Sequence, residues 1–371
     1  MLRVLTVFGT RPEAIKMAPL IAELERHPDL IANRNCLTGQ HREMVASLVD
    51  LFGIRVDHDL DLMRHDQTLE HITVAVLQQV SRILREEPCD LLLVQGDTTT
   101  SMAAALAAFY AGVKVGHVEA GLRTFDKQHP YPEESNRKMI DAVADIFFAH
   151  TPQARQHLLN EGIADAAIAV TGNTVIDALL DVAARPFDPT GTPLEELPVD
   201  RRVVLVTAHR RESFGGPFES MCEGLRRLAV SHPDDLLVYP VHRNPNVREV
   251  VQRTLDSIEN VRLIDPLDYM PLVHLMKRCH LVLTDSGGLQ EEAPSLGKPV
   301  LVMRKTTERP EGVAAGTVKL VGTNADDIVR EASRLLDDPV AHAAMAMRAN
   351  PYGDGSASRR IVERILADTQ P

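Results

Sequence analysis

Residues 91–121 read LLLVQGDTTTSMAAALAAFYAGVKVGHVEAG, and this stretch decides the fold. A short aliphatic run, Leu91 to Val94, is followed by a helical segment, Thr99 to Ala111, and then by a second run, Val113 to Val118. Short aliphatic or β-branched runs that alternate with helical segments of about 10 to 16 residues predict βαβ units and a parallel sheet.

The same alternation extends in both directions from this stretch. Towards the N-terminus we expect strands at 4–8 and 35–38, and directly after it at 146–149 and 168–170. In the second half of the chain the predicted strands are 203–207, 236–241, 261–263, 281–284, 299–302 and 319–321. The sequence therefore predicts an α/β protein.

Length and composition predict two domains. The chain has 371 residues, of which 44% are hydrophobic, which is more than one ordinary core requires. The segment 185–198 contains four prolines and little apolar periodicity, as is typical of a linker. We place the junction shortly before it, giving domains 1–171 and 172–355, and expect a separate terminal helix in 356–371.

Composition also limits the partners. The formal net charge of −12 opposes binding to a nucleic-acid backbone. No apolar run of about 18 residues and no signal-like N-terminus occur, so we expect a cytoplasmic protein without a membrane partner. Four widely spaced cysteines lack metal-ligand or disulfide-framework spacing, so neither a structural metal nor disulfides are expected.

Polar clusters follow the predicted strands of the first half. In open parallel sheets ligands bind outside the carboxyl ends of the strands, so these positions are candidates for a site. After the first strand, Arg11 and Lys16 could meet an anion near a helix N-terminus, or the segment could simply cap that helix.

Three carboxylates lie at such positions. Asp97 follows one strand and Glu119 ends the next, so the two meet if these strands are neighbours. A helix N-cap is the alternative interpretation of Asp97, and a favourable helix-dipole position is the alternative for Glu133. Clustered carboxylates raise one another's pKa and can serve as general acid and base.

Basic and glycine-rich clusters follow the strands of the second half. His209 and Arg210 follow one strand and His242 follows the next; surface solvation is the alternative interpretation. The stretch 284–292, TDSGGLQEE, combines a strand end, a Ser-Gly-Gly turn and a helix start, and this favours a diphosphate site over simple capping. The loop 304–309 adds further cations.

The sequence contains no GxGxxG, P-loop or HExxH motif, so no cofactor and no metal are expected. From the residues alone, the chain is predicted to be a nucleotide-sugar enzyme.

Longer motifs carry a resemblance. They are VFGTRPEAIKMAPL (7–20), TGQHREM (38–44), QGDTTTSMAAALAAFY (95–110), VGHVEAGLRT (115–124), PEESNR (132–137), VTGNTVIDAL (170–179), TAHRRESFG (207–215), YPVHRNP (239–245), LTDSGGLQEEAPSLGKPVLVMRKTTERPEG (283–312) and NPYGDGSASRRIVE (350–363). With these motifs the chain closely resembles the non-hydrolysing bacterial UDP-N-acetylglucosamine 2-epimerases over essentially its whole length.

This resemblance implies a glycosyltransferase-B-type fold. Two Rossmann-like domains would enclose a deep interdomain cleft, the terminal helix would return to the first domain, and the protein would be a homodimer. UDP would bind chiefly to the second domain.

The resemblance also implies roles for residues. The matched catalytic set is Asp97, Glu119, Glu133 and His209. The matched substrate-binding residues are Ser286, Gly287 and Gly288 at the diphosphate, Glu292 at the ribose, Arg11 and Arg309 as further phosphate contacts, and Lys16 lining the cleft.

The reaction implied interconverts UDP-N-acetylglucosamine and UDP-N-acetylmannosamine. Removal of the weakly acidic C2 proton is coupled to loss of UDP from C1, giving 2-acetamidoglucal, and UDP adds back after protonation on the opposite face. Such a path requires an acid, a base and cations at the leaving diphosphate, but no redox cofactor.

The chain departs from the family pattern at two places. Leu267 and Leu272 stand where some relatives have Gln and Phe, so uracil contacts there are expected to be looser. Some relatives also bind a second substrate molecule as activator; Gln40, Arg210 and His242 match that pattern, but Asp66 stands where a basic residue is expected. A carboxylate facing a diphosphate repels it, so we predict weakened or absent substrate activation.

Several alternatives stay open at this point. They are a glycosyltransferase of the same fold, a hydrolysing relative that releases free N-acetylmannosamine, a non-catalytic sensor, and an epimerase of a further-substituted UDP sugar.

Overall fold

The computed structural model describes residues 1–39, 42–62 and 67–368. Contacts divide the chain into two compact units. The first unit comprises Met1–Ala178 and the chain from Tyr352 onward, and the second unit comprises Leu179–Pro351.

The first unit contains a parallel sheet in the order β3-β2-β1-β4-β5-β6-β7. Its strands are β1 (Leu2–Phe8), β2 (Ile31–Leu37), β3 (His58–Asp59), β4 (Leu91–Gln95), β5 (Lys114–Ala120), β6 (Ile146–Ala149) and β7 (Ile168–Val170). Its helices are α1 (Arg11–Glu25), α2 (Arg42–Phe52), α3 (Leu69–Glu86), α4 (Thr99–Tyr110), α5 (Glu133–Asp141), α6 (Pro152–Asn160) and the start of α7 (Thr174–Ala184). The sequence order reverses between β1 and β4, where ligands bind in folds of this type.

The second unit contains a parallel sheet in the order β10-β9-β8-β11-β12-β13. Its strands are β8 (Val203–Thr207), β9 (Leu236–Pro240), β10 (Val261–Ile264), β11 (Leu281–Thr284), β12 (Val300–Val302) and β13 (Val318–Leu320). Its helices are α8 (Gly216–Ser231), α9 (Pro245–Leu255), α10 (Tyr269–Arg278), α11 (Gly287–Glu292), α12 (Pro310–Ala315), α13 (Ala325–Asp337) and α14 (Pro339–Ala346). The switch in strand order lies between β8 and β11.

The central strands are buried along their whole length. Every residue of β4 and of β8 is buried, because helices cover both faces of a parallel sheet. The C-terminal helix α15 (Ala357–Ala367) packs against α1 within the first unit and buries Ile361, Val362 and Ile365. The α/β prediction is confirmed, with two Rossmann-like sheets.

All twelve predicted strands are present, with ends that differ by a few residues. The strand that sequence missed is β3, a two-residue polar pair with no hydrophobic run to mark it. It exists because His58 and Asp59 pair with Cys36 and Leu37 of β2.

The division between units lies at 178/179 and 351/352, whereas the sequence placed the junctions at 171/172 and 355/356. The first turn of α7 stays with the first unit because Asp177 accepts the N–H groups of Ala357 and Ser358, at 3.1 and 2.8 Å. The Asn173 N–H also donates to the Tyr352 carbonyl at 2.7 Å. Within the described ranges, no helix has the length and hydrophobicity needed to span a bilayer.

Candidate active site

Two carboxylates of the first unit lie at the carboxyl ends of neighbouring strands. Strands β4 and β5 pair in parallel, with Gln95 opposite Val118. A Cβ built on Gly96 would lie 3.9 Å from Glu119 Oε2, so the backbone that leads into Asp97 runs beside the Glu119 side chain. The two strands that lead to Asp97 and Glu119 are therefore neighbours, as the sequence argument required.

Glu119 has an unusual backbone conformation. Its φ of 66° lies in the left-handed region, and the pairing of β5 with β6 shifts register between Val118 and Ala120. A bulge of this kind re-aims a side chain, and a non-glycine residue in this region costs on the order of 1–3 kcal/mol. The surrounding sheet therefore holds Glu119 in a strained position.

Three side chains donate to the buried Glu119 carboxylate. Lys16 Nζ lies 2.5 Å from Oε2, and the Gln95 amide donates to the same oxygen. Asn173 Nδ2 donates to Oε1 at 3.3 Å. Lys16 was a candidate from the sequence, but Gln95 and Asn173 were not. Gln95 ends a strand and Asn173 follows a glycine, and an amide side chain at either position does not by itself indicate a functional site.

Asp97 is held by an arginine. Arg137 Nε and Nη2 contact Asp97 Oδ2 at 2.8 and 2.7 Å, and Asn136 Nδ2 donates to the Asp97 carbonyl at 2.9 Å. The interpretation of Asp97 as the N-cap of α4 is wrong, since the cap is Thr98, whose hydroxyl accepts the Ser101 N–H. The Asp97 carboxylate is not used to cap the helix.

Arg137 bridges two carboxylates, and sequence reasoning missed it. Its Nη1 contacts Glu134 Oε2 at 2.8 Å, and buried Glu134 accepts the N–H groups of Thr124 and Phe125. The spacing of Glu134 and Arg137, three residues apart on a helix, could have indicated this pair. Glu133, the residue predicted from sequence, is the first residue of α5 and is half-buried.

The segment at Arg11 is organised by a capping interaction. Glu13 accepts the N–H groups of Gly9 and Thr10, at 3.0 and 2.7 Å, and the hydroxyls of Thr98 and Ser101. This carboxylate therefore joins the loops that follow β1 and β4. Arg11 is the first residue of α1 and is half-buried.

A buried histidine network supports the backbone before Asp97. His117 Nε2 lies 2.7 Å from the Gly96 carbonyl oxygen, and Nδ1 lies 2.6 Å from Asp141 Oδ1. Arg123 Nη2 contacts the other oxygen of Asp141 at 2.5 Å. Burial by itself raises the pKa of Asp141, but His117 and Arg123 outweigh it, so this pKa lies below its usual value.

In the second unit, a histidine and a buried aspartate meet at the ends of β8 and β11. Thr207 pairs with Thr284 in the sheet, and Asp285 Oδ2 accepts the N–H groups of His209 and Arg210, each at 2.7 Å. The His242 ring stacks on His209 with centroids 5.2 Å apart. Burial lowers the pKa of His209, and the nearby Asp285 opposes that shift.

The Ser-Gly-Gly turn faces two guanidinium groups. A Cβ on Gly287 would lie 3.5 Å from Arg210 Nη2 and 3.7 Å from Arg309 Cζ, and Ser286 is the N-cap residue of α11. Arg309 Nε contacts Glu291 at 2.5 Å. Burial raises the pKa of Glu308, but Arg309 and other arginines outweigh it and lower that pKa overall.

Glu292 lies on the same short helix and is buried. The Tyr269 hydroxyl donates to Glu292 Oε1 at 3.0 Å, and a Cβ on Gly288 would lie 3.4 Å from Oε2. Leu267 is buried before α10, and Leu272 is half-buried within it. Tyr269 was not chosen from sequence, since an isolated tyrosine at a helix start gives no functional signal.

Two of the candidate regulatory residues, Gln40 and Asp66, lie outside the described residues. The other two, Arg210 and His242, lie beside His209 in the second unit. His242 is exposed, and its Nδ1 accepts the Asn244 N–H at 3.1 Å.

A family model described as UDP-N-acetylglucosamine 2-epimerase matches residues 22–366. The chain belongs to this family. The UDP-N-acetylglucosamine 2-epimerase of Escherichia coli K12 is 53% identical over 370 residues, which covers 98% of both chains.

Solved structures agree with this assignment. The UDP-GlcNAc 2-epimerase of Neisseria meningitidis, bound to UDP-GlcNAc, is 46% identical and matches with a TM-score of 0.90 over 99% of this chain and 100% of its own. A glycotransferase of kitacinnamycin matches with a TM-score of 0.65 at 13% identity over 98% of this chain and 99% of its own. The latter likeness concerns the fold alone, which is of the glycosyltransferase-B type.

Proposed function

We propose that the chain catalyses the reversible epimerisation at C2 of UDP-N-acetylglucosamine and UDP-N-acetylmannosamine, as a non-hydrolysing member of its family. The observation that carries the proposal is the convergence of Asp97 and strained Glu119 at one sheet edge, each contacted by a cation. Two carboxylates placed together in this way suit proton transfer rather than fold stability.

The proposed path is an elimination followed by an addition. A base removes the C2 proton while the C1–O bond to UDP breaks, and this forms a C1–C2 double bond in 2-acetamidoglucal. The proton is then returned to the opposite face of C2 and UDP adds back to C1. Coupling the two bond changes avoids a free carbanion at a weakly acidic carbon.

Asp97 is proposed as a proton-transfer group, with Glu119 and Glu133 as partners. Asp97 keeps one carboxylate oxygen, Oδ1, outside its contact with Arg137. Lys16 compensates the charge of Glu119. The acid and base roles are assigned to these three carboxylates together rather than to single members.

The nucleotide is proposed to bind the second unit. Ser286, Gly287 and Gly288 supply backbone N–H groups beside Arg210 and Arg309. Glu292, fixed by Tyr269, is proposed to accept the ribose hydroxyls, and Leu267 and Leu272 to border the uracil. His209 is proposed to stabilise the leaving diphosphate, and Arg11 to add a further phosphate contact.

The test follows hydrogen exchange at C2. Unmodified protein is expected to convert UDP-N-acetylglucosamine alone into a mixture of both epimers and to introduce deuterium at C2 in deuterated water, as followed by proton NMR. Asp97→Asn and Glu119→Gln are expected to abolish exchange while UDP binding, measured by calorimetry, is retained. Glu86→Gln, at an exposed site on α3, is the matched control.

Full exchange in both carboxylate variants contradicts the assignment. The same spectra separate the alternatives, because a glycosyltransferase needs an acceptor and a hydrolysing enzyme accumulates free N-acetylmannosamine. A panel that includes 3-acetamido and C6-carboxylate UDP sugars identifies an epimerase of a further-substituted substrate. The product is proposed to supply N-acetylmannosamine units for cell-envelope or other glycans.

A homodimer is proposed as the assembly. Helix α4 packs against both α3 and α5. These three helices expose large apolar side chains: Val74, Phe109, Tyr110 and Met139. Such side chains on neighbouring helices are typical of an interface. Sedimentation equilibrium is expected to give twice the chain mass, and Phe109→Glu with Tyr110→Glu is expected to give the monomer.

A cytoplasmic location is also proposed. The described cysteines Cys36, Cys89, Cys222 and Cys279 are all buried and free, which suits a reducing compartment. Cell fractionation tests this proposal.

Substrate activation is proposed to be weak or absent because of Asp66. Kinetics are expected to be hyperbolic, and Asp66→Arg is expected to make them more sigmoidal. Strongly sigmoidal kinetics that this substitution does not alter contradict the proposal.

A further inference from the structure

A buried carboxylate joins two loops of the second unit. Asp285, which is fully buried, directly follows β11, and its N–H donates to the Thr207 carbonyl of β8 at 3.0 Å. Its Oδ2 accepts the N–H groups of His209 and Arg210. The backbone that carries these two basic side chains is therefore held by one acid, which also immediately precedes Ser286.

The second oxygen of Asp285 faces the histidine ring. Oδ1 lies 3.6 Å from His209 Nδ1, and among the described residues it accepts no hydrogen bond. This distance is longer than a hydrogen bond, and a buried carboxylate oxygen without a donor is costly. When Nδ1 is protonated, the nearby His209 ring can compensate this oxygen.

His209 is surrounded by groups with opposing effects. His242 stacks on it from the loop after β9, Arg210 follows it in its own loop, and Asp285 faces it from β11. Burial is the largest influence and lowers the pKa of His209, and His242 and Arg210 lower it further. Asp285 alone among these groups raises it.

We propose that Asp285 is a positioning residue that keeps the His209 Nδ1–H turned inward and thereby presents Nε2 to the departing diphosphate. A buried aspartate orients a catalytic histidine in the same way in Ser-His-Asp enzymes. The carboxylate also stabilises the protonated ring, in which Nε2–H donates a hydrogen bond to the diphosphate oxygen as the C1–O bond breaks. This inference deepens the proposed function and rests on it for the role of His209.

The first test uses the unmodified protein. With ¹⁵N-labelled histidine, two-bond ¹⁵N–¹H spectra at pH 8 report which ring nitrogen of His209 carries the proton. We expect the Nδ1–H tautomer, because Nδ1 faces the carboxylate. The Nε2–H tautomer as the major form would overturn the proposal, whatever the enzyme's activity.

The second test compares Asp285→Asn with Asp256→Asn, a control in the same unit just after α9. The pKa of His209, measured by NMR titration, is expected to fall by about 0.5 or more in Asp285→Asn and to stay the same in the control. His157 of the first unit serves as an internal reference. An unchanged His209 pKa in folded Asp285→Asn contradicts the proposal. If this variant does not fold, the tautomer measured in the unmodified protein decides the proposal.

The third test is kinetic. Asp285→Asn is expected to lower kcat by about 10²-fold with a smaller change in KM, and to move the alkaline decline of kcat to lower pH. An unchanged pH profile contradicts the proposal. If the unmodified protein shows no epimerisation, the proposed function fails, whereas the two NMR tests still judge Asp285.

Discussion

The two sheets carry opposite charges at the carboxyl ends of their strands. At the ends of β4 and β5, carboxylates predominate and are largely buried, with Asp97 23% and Glu119 4% exposed. At the ends of β8 and β11, basic side chains predominate and are more accessible, with His209 41% and Arg210 31% exposed. The fold supplies the position, and the residues that follow each strand supply the chemistry.

The difference extends to how the charges are compensated. In the first unit Glu119 is paired with half-buried Lys16, and Asp97 is paired with buried Arg137. In the second unit Arg309 contacts Glu291 and Arg210 contacts Glu308, and both arginines face the glycine turn. The paired carboxylates of the first unit are suited to proton transfer from fixed positions. The arginines of the second unit are suited to binding an incoming anion together.

The largest effect is expected from Arg137→Met. It leaves buried Glu134 and partly buried Asp97 without their shared cation, so the free energy of unfolding should fall by about 3–5 kcal/mol. The loss of Asp97 orientation should lower kcat by about 10²-fold or more. Urea unfolding and C2-exchange kinetics measure both quantities.

Lys138→Met is the matched control for that variant. Lys138 is the next residue on α5, is exposed, and lies 3.7 Å from Glu161, so its loss should change stability by less than about 0.5 kcal/mol. Equal losses of stability in the two variants would mean that the contacts of buried Arg137 contribute no more than those of exposed Lys138.

A smaller effect is expected in the second unit from Arg309→Met. Loss of one charge-assisted contact should weaken UDP binding by about 10- to 100-fold. The rate of deuterium exchange at C2, measured with saturating substrate, should change less. Calorimetry measures the affinity, and exposed Arg330→Met is the control. Unchanged affinity would remove Arg309 from the nucleotide site.

The two units are also expected to differ in acid sensitivity. Burial, with His342 stacked at 3.7 Å, lowers the pKa of His280 from 6.5 to about 4. A lowered histidine pKa means that the unfolded chain binds more protons, so this group costs stability as pH falls from about 6.5 to about 4. His280 is partly exposed, so the loss is on the order of 1 kcal/mol after screening.

Hydrogen exchange at pH 7.5 and 5 measures that difference. Amides of β11 should lose protection at the lower pH, and His280→Asn should reduce this loss. Amides of β4 in the first unit provide the comparison. If His280→Asn loses the same amount of β11 protection at pH 5, His280 is not the cause.

The smallest effects are expected from helix caps, compared between units. Thr151 caps α6 of the first unit and Asn324 caps α13 of the second, each through its side-chain oxygen. Alanine at either position should cost about 0.5–1 kcal/mol, seen as faster amide exchange in that helix. A loss of protection confined to the other unit would contradict a local role.

Much of the architecture could be predicted because it depends on local patterns. Hydrophobic runs identified twelve strands, and their alternation with helices identified the α/β class. β3 was missed because two polar residues form a strand only where β2 offers a partner.

The candidate site could be predicted only in part. Polar residues at strand ends identified Asp97, Glu119, Lys16 and His209 as candidates, because chain direction alone places them at the same edges. Sequence could not show that Thr98 rather than Asp97 caps α4, since both are good caps and only the backbone path decides between them.

The sequence by itself determined which residue types follow each strand, and so where charge of each sign would gather. Only the tertiary structure decided which charges meet: Lys16 and Glu119 are 103 residues apart, and Arg137 and Asp97 are 40 apart. The left-handed turn at Glu119 likewise arises from a bulge between β5 and β6. The physical reason is that such contacts depend on strand register and on the packing of distant segments, which no local pattern of residues encodes.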